Sequence, residues 1–288
     1  MSVIVKRLLI FFTGVPAVAA LVLFLPYYGN LALNIIVIVF SSIGAYEFSI
    51  MLEKKQMAVN KIQALFFGAL LPLALTLTIS FGCPDWIIPL LIMAEAFFIL
   101  ITRAFSKAAN MDNVTNNLAG ELSVLVYPSF FMYWLVKMSV WKNPGVYILV
   151  FLLITLCSDA SAWLTGILLG NNNRGIFAAS PNKSIAGFIG GIAGSMIIST
   201  AAVLIIPSAF SGRYENVSVI IIMNITGIFT ETAAAFGDLF ESAVKRSCGV
   251  KDSGNLMLGR GGVLDSIDSI TLAAPVYFFL VSVFFNNI

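Results

Sequence analysis

The apolar residues of this chain come in blocks of about twenty, the length at which a helix crosses a bilayer core of about 30 Å. The blocks fall at roughly 8–28, 31–52, 62–81, 86–102, 120–140, 146–169, 185–209, 218–240 and 263–286, with short polar breaks between them. Hydrocarbon offers no partner for an exposed backbone N–H or C=O, so segments of this kind must be helical. The expected fold class is an all-α integral membrane protein of about nine transmembrane helices. Composition agrees, since 59% of the residues are apolar and 10% charged, against roughly 45–50% and about 25% in a soluble domain. A net charge of +2 excludes a polybasic nucleic-acid binder.

The basic residues set the orientation. With the N-terminus cytoplasmic, Lys6, Arg7, Lys54, Lys55, Lys61, Arg103, Lys107, Arg174, Lys183, Lys245, Arg246, Lys251 and Arg260 share the inner side. Lys137, Lys142 and Arg213 fall outside. Such a bias follows the positive-inside rule and puts the C-terminus on the outer side. The apolar run after Met1–Arg7 is long and reaches Tyr27–Tyr28 without a clear cleavage site, so an uncleaved first helix is expected.

The two ends of the chain differ in character. Residues 1–140 are read as lipid-facing scaffold helices, plain apart from the single acids Glu47, Glu95 and Glu121. Residues 141–288 carry polar and small residues in and beside the spans and are read as the catalytic helices. The glycines at 187, 190, 191 and 194 predict close helix packing and no ligand role. The Asn-rich stretch 105–118 is expected to be an interfacial loop.

Two features of the residue inventory narrow the chemistry. The chain has no histidine, which excludes imidazole bases, Ser-His-Asp triads and His-ligated metals. Its three cysteines, Cys83, Cys157 and Cys248, have neither the number nor the spacing of a zinc knuckle or a disulfide frame, and buried thiols are expected. A metal would therefore sit on carboxylate oxygens, which suits Mg²⁺ or Mn²⁺.

Intramembrane carboxylates are costly and mark function. The densest group runs from Glu231 to Asp268. Glu231, Asp238, Glu241, Ser242 and Lys245 fall on one helical stripe, expected to face a polar interior. Lys245–Arg246, Lys251–Asp252 and Gly259–Arg260–Gly261–Gly262 follow, and then Asp265 and Asp268 stand at i and i+3. Two acid-bearing helices joined by a basic, glycine-rich turn suggest metal bridged to phosphate. A second polar patch, Ser158–Asp159 and Ser180-Pro181-Asn182-Lys183-Ser184, lies on the same membrane side, with Ser180 or Ser184 placed to cap the next helix. Neither a P-loop nor a Rossmann fingerprint is present.

The segment Ser242-Ala-Val-Lys245-Arg246, four residues, Lys251-Asp252, then Gly259-Arg260-Gly261-Gly262-Val-Leu-Asp265-Ser-Ile-Asp268 resembles the signature of phosphatidate cytidylyltransferases, S-x-x-K-R-x4-K-D followed by H-G-G-x-x-D-R-x-D. Gly237-Asp238-Leu239, Ser158-Asp159-Ala160 and Ser180-Pro181-Asn182-Lys183-Ser184 are similar to further segments of that family, so the motifs cover about residues 157–268. The resemblance implies a membrane enzyme that joins CTP and phosphatidic acid into CDP-diacylglycerol and pyrophosphate; the short loops point to a bacterial inner membrane and the basic residues to a site facing the cytoplasm. It also implies Mg²⁺ or Mn²⁺ on Asp238, Asp265 and Asp268, with a second cation and a homodimer left open. Lys183, Lys245, Arg246 and Lys251 would then hold phosphate oxygens, with Ser180, Asp252 and Arg260 beside the substrates; Lys245 joins the three aspartates as catalytic.

This chain departs from the signature at four positions. Arg260 replaces its histidine, Ser266 its arginine, Asn182 a lysine and Ala186 a glutamate. The alternatives are a CTP-dependent enzyme acting on another lipid phosphate or alcohol, a cation or metabolite transporter using the intramembrane acids, and an inactive relative.

Overall fold

The computed structural model describes residues 3–106, 108–210, 216–257 and 261–285. Among them, nine long helices follow one another: α1 (Val3–Phe24), α2 (Tyr27–Glu53), α3 (Lys61–Phe81), α4 (Ile87–Ala104), α5 (Met111–Val140), α6 (Pro144–Leu169), α7 (Ile185–Ile205), α8 (Asn216–Ser247) and α9 (Leu264–Phe285). The eight from α2 to α9 are long and apolar enough to cross a membrane. Helix α1 coincides with the first expected span but is not one of those eight. No strand occurs among the described residues, only two isolated bridges, Arg174 with Ser184 and Met257 with Gly261. The chain is an all-α integral membrane protein.

Local chemistry explains the helix ends. Asn60 caps α3 by accepting from the backbone N–H groups of Ile62 at 2.9 Å and Gln63 at 3.3 Å, and Gly82 closes the helix in the left-handed region at φ +70°. Pro144 stands in the first turn of α6, where its missing N–H costs nothing. Of the two serines expected at the start of α7, Ser184 is the cap, its hydroxyl accepting from Gly187 N–H at 3.0 Å.

The Asn-rich stretch is a correction. It is helical from Ala108 onward, a 3₁₀ turn (Ala108–Asn113) leading into α-helix at Val114–Val124. Asn117 is buried and accepts from Ala58 N–H at 2.6 Å, so its polar side chain is satisfied inside the protein and does not need the interface. Farther along α5, Pro128 cannot continue the regular ladder and the helix widens into a π-turn at Leu125–Phe130.

The chain divides into two compact units, Met1–Ser139 with Val244–Ile267, and Val140–Ala243 with Asp268–Ile288. In the first, α2 packs against α3, and a side chain at Gly68 would collide with Ala45 and the Ser41 carbonyl. Ser41 spans this crossing, donating to the carbonyls of Gly68 at 2.6 Å and Pro128 at 3.0 Å. Phe48, Met51, Leu71, Leu75, Ile99 and Met132 fill the core. Glu121, fully buried, receives Arg103 Nε at 2.7 Å and Nη2 at 2.6 Å, with Gln63 Nε2 at 3.1 Å. Glu121→Gln is expected to destabilise the protein by about 3 kcal/mol, because it leaves a largely buried guanidinium uncompensated. Thermal unfolding in detergent would read this as a midpoint several degrees lower; an unchanged midpoint would refute it.

In the second unit, α6 packs along α7. A side chain at Gly190 would meet Thr165, one at Gly194 would meet Ser161, and one at Gly187 would meet the Ala162 carbonyl. These glycines therefore admit the neighbouring helix, as their spacing predicts. The core is aromatic: Trp141 stacks on Phe278 at 5.2 Å, and Tyr277 donates its hydroxyl proton to the Tyr147 carbonyl at 2.9 Å. The three cysteines are free; Cys248 alone is buried, Cys83 and Cys157 being half-buried rather than buried as expected. Burial pushes the Cys248 thiol above its usual range, which makes it a poor nucleophile.

Candidate functional site

In the first unit the motif residues are organised by two carboxylates. Gly249 takes φ +66° just past α8 and turns the chain into the loop that leads to α9. In the first turn of α9 Asp265 gathers four donors. Its Oδ1 accepts from Lys245 Nζ at 2.5 Å. Its Oδ2 accepts from the Ser253 backbone N–H at 2.8 Å, the Ser253 hydroxyl at 2.8 Å and the Gly262 N–H at 2.7 Å. Gly261 sits at φ +101° with no room for a side chain beside Asp265 and Asp252.

Behind this lies Glu47 of α2, buried at 2% exposure. Its Oε1 accepts from Val263 N–H at 3.1 Å, and its Oε2 accepts from Leu264 N–H at 2.8 Å and, sharing the single hydroxyl proton with Asp265, from Ser253 at 3.2 Å. The first turn of a helix leaves N–H groups without intrahelical partners, and a carboxylate there also suits the helix dipole. Glu47 thus caps α9 from more than two hundred residues away. Gly254 and Gly262 make room for it, since a side chain at either would strike its carboxyl.

Around this core, Arg246 reaches the Val250 carbonyl at 3.4 Å, while Lys251 and Asp252 are exposed. A cavity of about 330 Å³ opens beside the loop, lined among others by Tyr46, Lys54, Asp252, Ser253 and Asn255. Gly259 and Arg260 lie outside the described residues.

In the second unit, Asp238 of α8 holds Lys183 through Oδ2 at 2.6 Å and accepts from the Ser242 hydroxyl at 3.3 Å. Glu231 and Glu241 are buried, whereas Phe229, Phe236 and Phe240 are exposed. The acidic stripe therefore faces inward and the phenylalanines outward, as the spacing predicts. Asp268 is buried, accepts from Ser269 N–H at 2.6 Å and lies within electrostatic reach of Asp238, Glu241 and Asp159. A side chain at Gly237 would collide with the Asp268 carbonyl, so α8 and α9 touch backbone to backbone here. Glu231 meets the Ser158 hydroxyl and feels Asp159 and Lys183.

The loop before α7 is folded on itself. Asn173 accepts through its carbonyl from Ile185 N–H at 3.2 Å and through its side chain from Ala186 N–H at 3.3 Å. Half-buried Ser180 makes the turn that presents Lys183, whose N–H donates to the Ser180 carbonyl at 3.0 Å.

The donor set suits a divalent cation. Carboxylate oxygens are hard ligands, and Asp238, Glu241 and Asp159 lie within electrostatic reach of Asp268. Among the described residues no three or more His, Cys, Asp or Glu side chains converge to hold a metal by themselves. Mg²⁺ does not require that, because it takes one or two carboxylates and completes its octahedron with water and substrate phosphate.

The model of the cytidylyltransferase family matches residues 5–284. A phosphatidate cytidylyltransferase of Staphylococcus haemolyticus is 30% identical over 270 residues, covering 90% of this chain and 94% of the relative. One from Bacillus subtilis is 29% identical over 94% of this chain and 96% of its own length. One from Thermotoga maritima is 33% identical over 60% of this chain and 63% of its own. With the match running through nearly every helix, this chain belongs to the cytidylyltransferase family.

Proposed function

We propose that this protein condenses CTP with phosphatidic acid to give CDP-diacylglycerol and pyrophosphate. A phosphate oxygen of the lipid attacks the α-phosphorus of CTP, the bond from that phosphorus to the bridging oxygen of the β-phosphate breaks, and pyrophosphate leaves with the electron pair. The nucleophile is already an anion, so no histidine base is needed. The barrier lies in bringing two polyanions together, which cations relieve.

The observation that carries this reading is a pairing. Lys183 is bound to Asp238, and Lys245 to Asp265. The signature assigns these aspartates to a divalent cation and these lysines to phosphate. Each lysine ammonium thus rests on a carboxylate already suited to a cation, and is freed for phosphate oxygens when the carboxylate is neutralised otherwise. Asp238, Asp265 and Asp268 are the residues proposed to hold Mg²⁺ or Mn²⁺, which when bound neutralises triphosphate charge. Lys183, Lys245, Arg246 and Lys251 bind phosphate oxygens, with Ser180, Asp252 and Arg260 beside the substrates. The site opens to the cytoplasm, where CTP is found, in a bacterial inner membrane from which the lipid arrives laterally.

The test is pyrophosphate release by purified protein in lipid nanodiscs, with CTP set against the other nucleoside triphosphates. Release is expected with CTP and phosphatidate together and with neither alone. Folded protein that turns over none of several phosphatidates would overturn the proposal. Lys183→Met is expected to lower kcat/KM about 10- to 100-fold, the loss of one charge-assisted contact of about 1.5–3 kcal/mol. An unchanged kcat/KM would remove Lys183 from the substrate path.

A further inference from the structure

Glu95 is an intramembrane acid for which the site above has no use. It sits midway along α4, eight residues after Ile87 and nine before Ala104, roughly 12–14 Å from either helix end. It is 3% exposed, and among the described residues neither carboxyl oxygen has a hydrogen-bond partner. The contrast with its neighbours is sharp, because Glu47 collects helix N–H groups and Glu121 an arginine fork. Buried polar groups without partners are rare and costly, and at mid-bilayer depth they mark function.

Glu95 lines a groove of about 490 Å³ between α3 and α4, walled by Phe66, Phe67, Leu70, Leu91 and Phe98, with its carboxyl oxygens buried at the wall. Asn60 and Gln63 close one end, with Asn60 Oδ1 held by the α3 cap and Gln63 Nε2 by Glu121. The groove is therefore mostly apolar, with amide groups at one end and the buried Glu95 carboxyl along its wall.

We propose that this groove binds one uncharged lipid alcohol of the diacylglycerol type, its hydroxyl on Glu95 and an acyl chain along the phenylalanines. Charged head groups stay at the membrane surface and do not reach mid-helix without large cost. A hydroxyl both donates and accepts, so it satisfies a carboxyl in either protonation state, which an ester oxygen or an ammonium does not. The walls supply the burial that holds the chain.

The test uses a diacylglycerol carrying a photoactivatable diazirine in one acyl chain, with the full protein in phosphatidylcholine nanodiscs. Labelling is expected within 62–70 and 91–98. It should fall at least about fivefold with the 3-O-methyl ether of the same probe, and with phosphatidylcholine carrying the same diazirine chain. Glu95→Leu is expected to fold as well as the parent, since it removes an unsatisfied carboxyl, and to lose the labelling to the same degree. Ala94→Phe, which fills the groove from its lining, should lose it too. Equal labelling by the alcohol and its ether, or undiminished labelling of either variant, would overturn the proposal.

Discussion

Asp265→Asn is expected to reduce CTP-dependent pyrophosphate release about 10³-fold while the protein still folds. The carboxylate accepts from Lys245 Nζ, the Ser253 N–H and hydroxyl, and the Gly262 N–H. Asparagine has the same shape but one acceptor oxygen, and its NH₂ can only donate. Whichever way the amide turns, donor faces donor, either at Lys245 or at the Ser253–Gly262 pair. The Lys245 ammonium, with 12% of its side chain exposed, then loses the charge of Asp265 beside it. The proposed cation loses a ligand as well. Steady-state pyrophosphate release and the unfolding midpoint measured together separate chemistry from folding. A variant retaining more than about a tenth of the parent rate would remove Asp265 from the reaction.

Glu47→Gln is expected to lower kcat about 10- to 100-fold, with KM for CTP changed far less. The residue touches no substrate in the proposed mechanism; it is a positioning residue that fixes where α9 begins. Three donors, Val263 N–H, Leu264 N–H and the Ser253 hydroxyl, converge on its two oxygens. A glutamine can accept at one side only and leaves a buried N–H opposed by its own NH₂, at a cost of about 1–3 kcal/mol. Ser253 would then shift, and with it the grip on Asp265, and a displacement of about 1 Å near the chemistry is enough for a 10²-fold loss. A lowered unfolding midpoint together with the split between kcat and KM is the expected signature. Parent-like kcat would show that Glu47 serves stability alone.

Neither expectation about Glu47 was available from sequence. It stood out as an acid inside a span, which marks a functional residue without naming its partner. Its partners are 206 to 217 residues away. Ser253, beside the lysine–aspartate pair, is not legible for the same reason, since nothing in its neighbourhood distinguishes a bridging serine from a loop serine. A glycine-rich turn such as 259–262 suits backbone N–H groups approaching phosphate. In the structure the Gly262 N–H is given to Asp265, and both glycines make room for carboxylates.

Sequence by itself determined the class of fold, the approximate limits of the spans, the inward face of the acidic stripe on α8 and the family. Each of these depends on periodicity or fixed spacing along one chain: a twenty-residue apolar run has one way to satisfy its backbone in hydrocarbon, and a 3.6-residue repeat assigns the faces of a helix. Tertiary structure decided which charges meet. That Lys183 rests on Asp238 and Lys245 on Asp265, that Glu47 caps α9, and that Glu95 has no hydrogen-bond partner among the described residues are matters of contact between segments far apart in the chain. A carboxylate's partner depends on the few ångströms around it, and linear spacing carries no information about that distance.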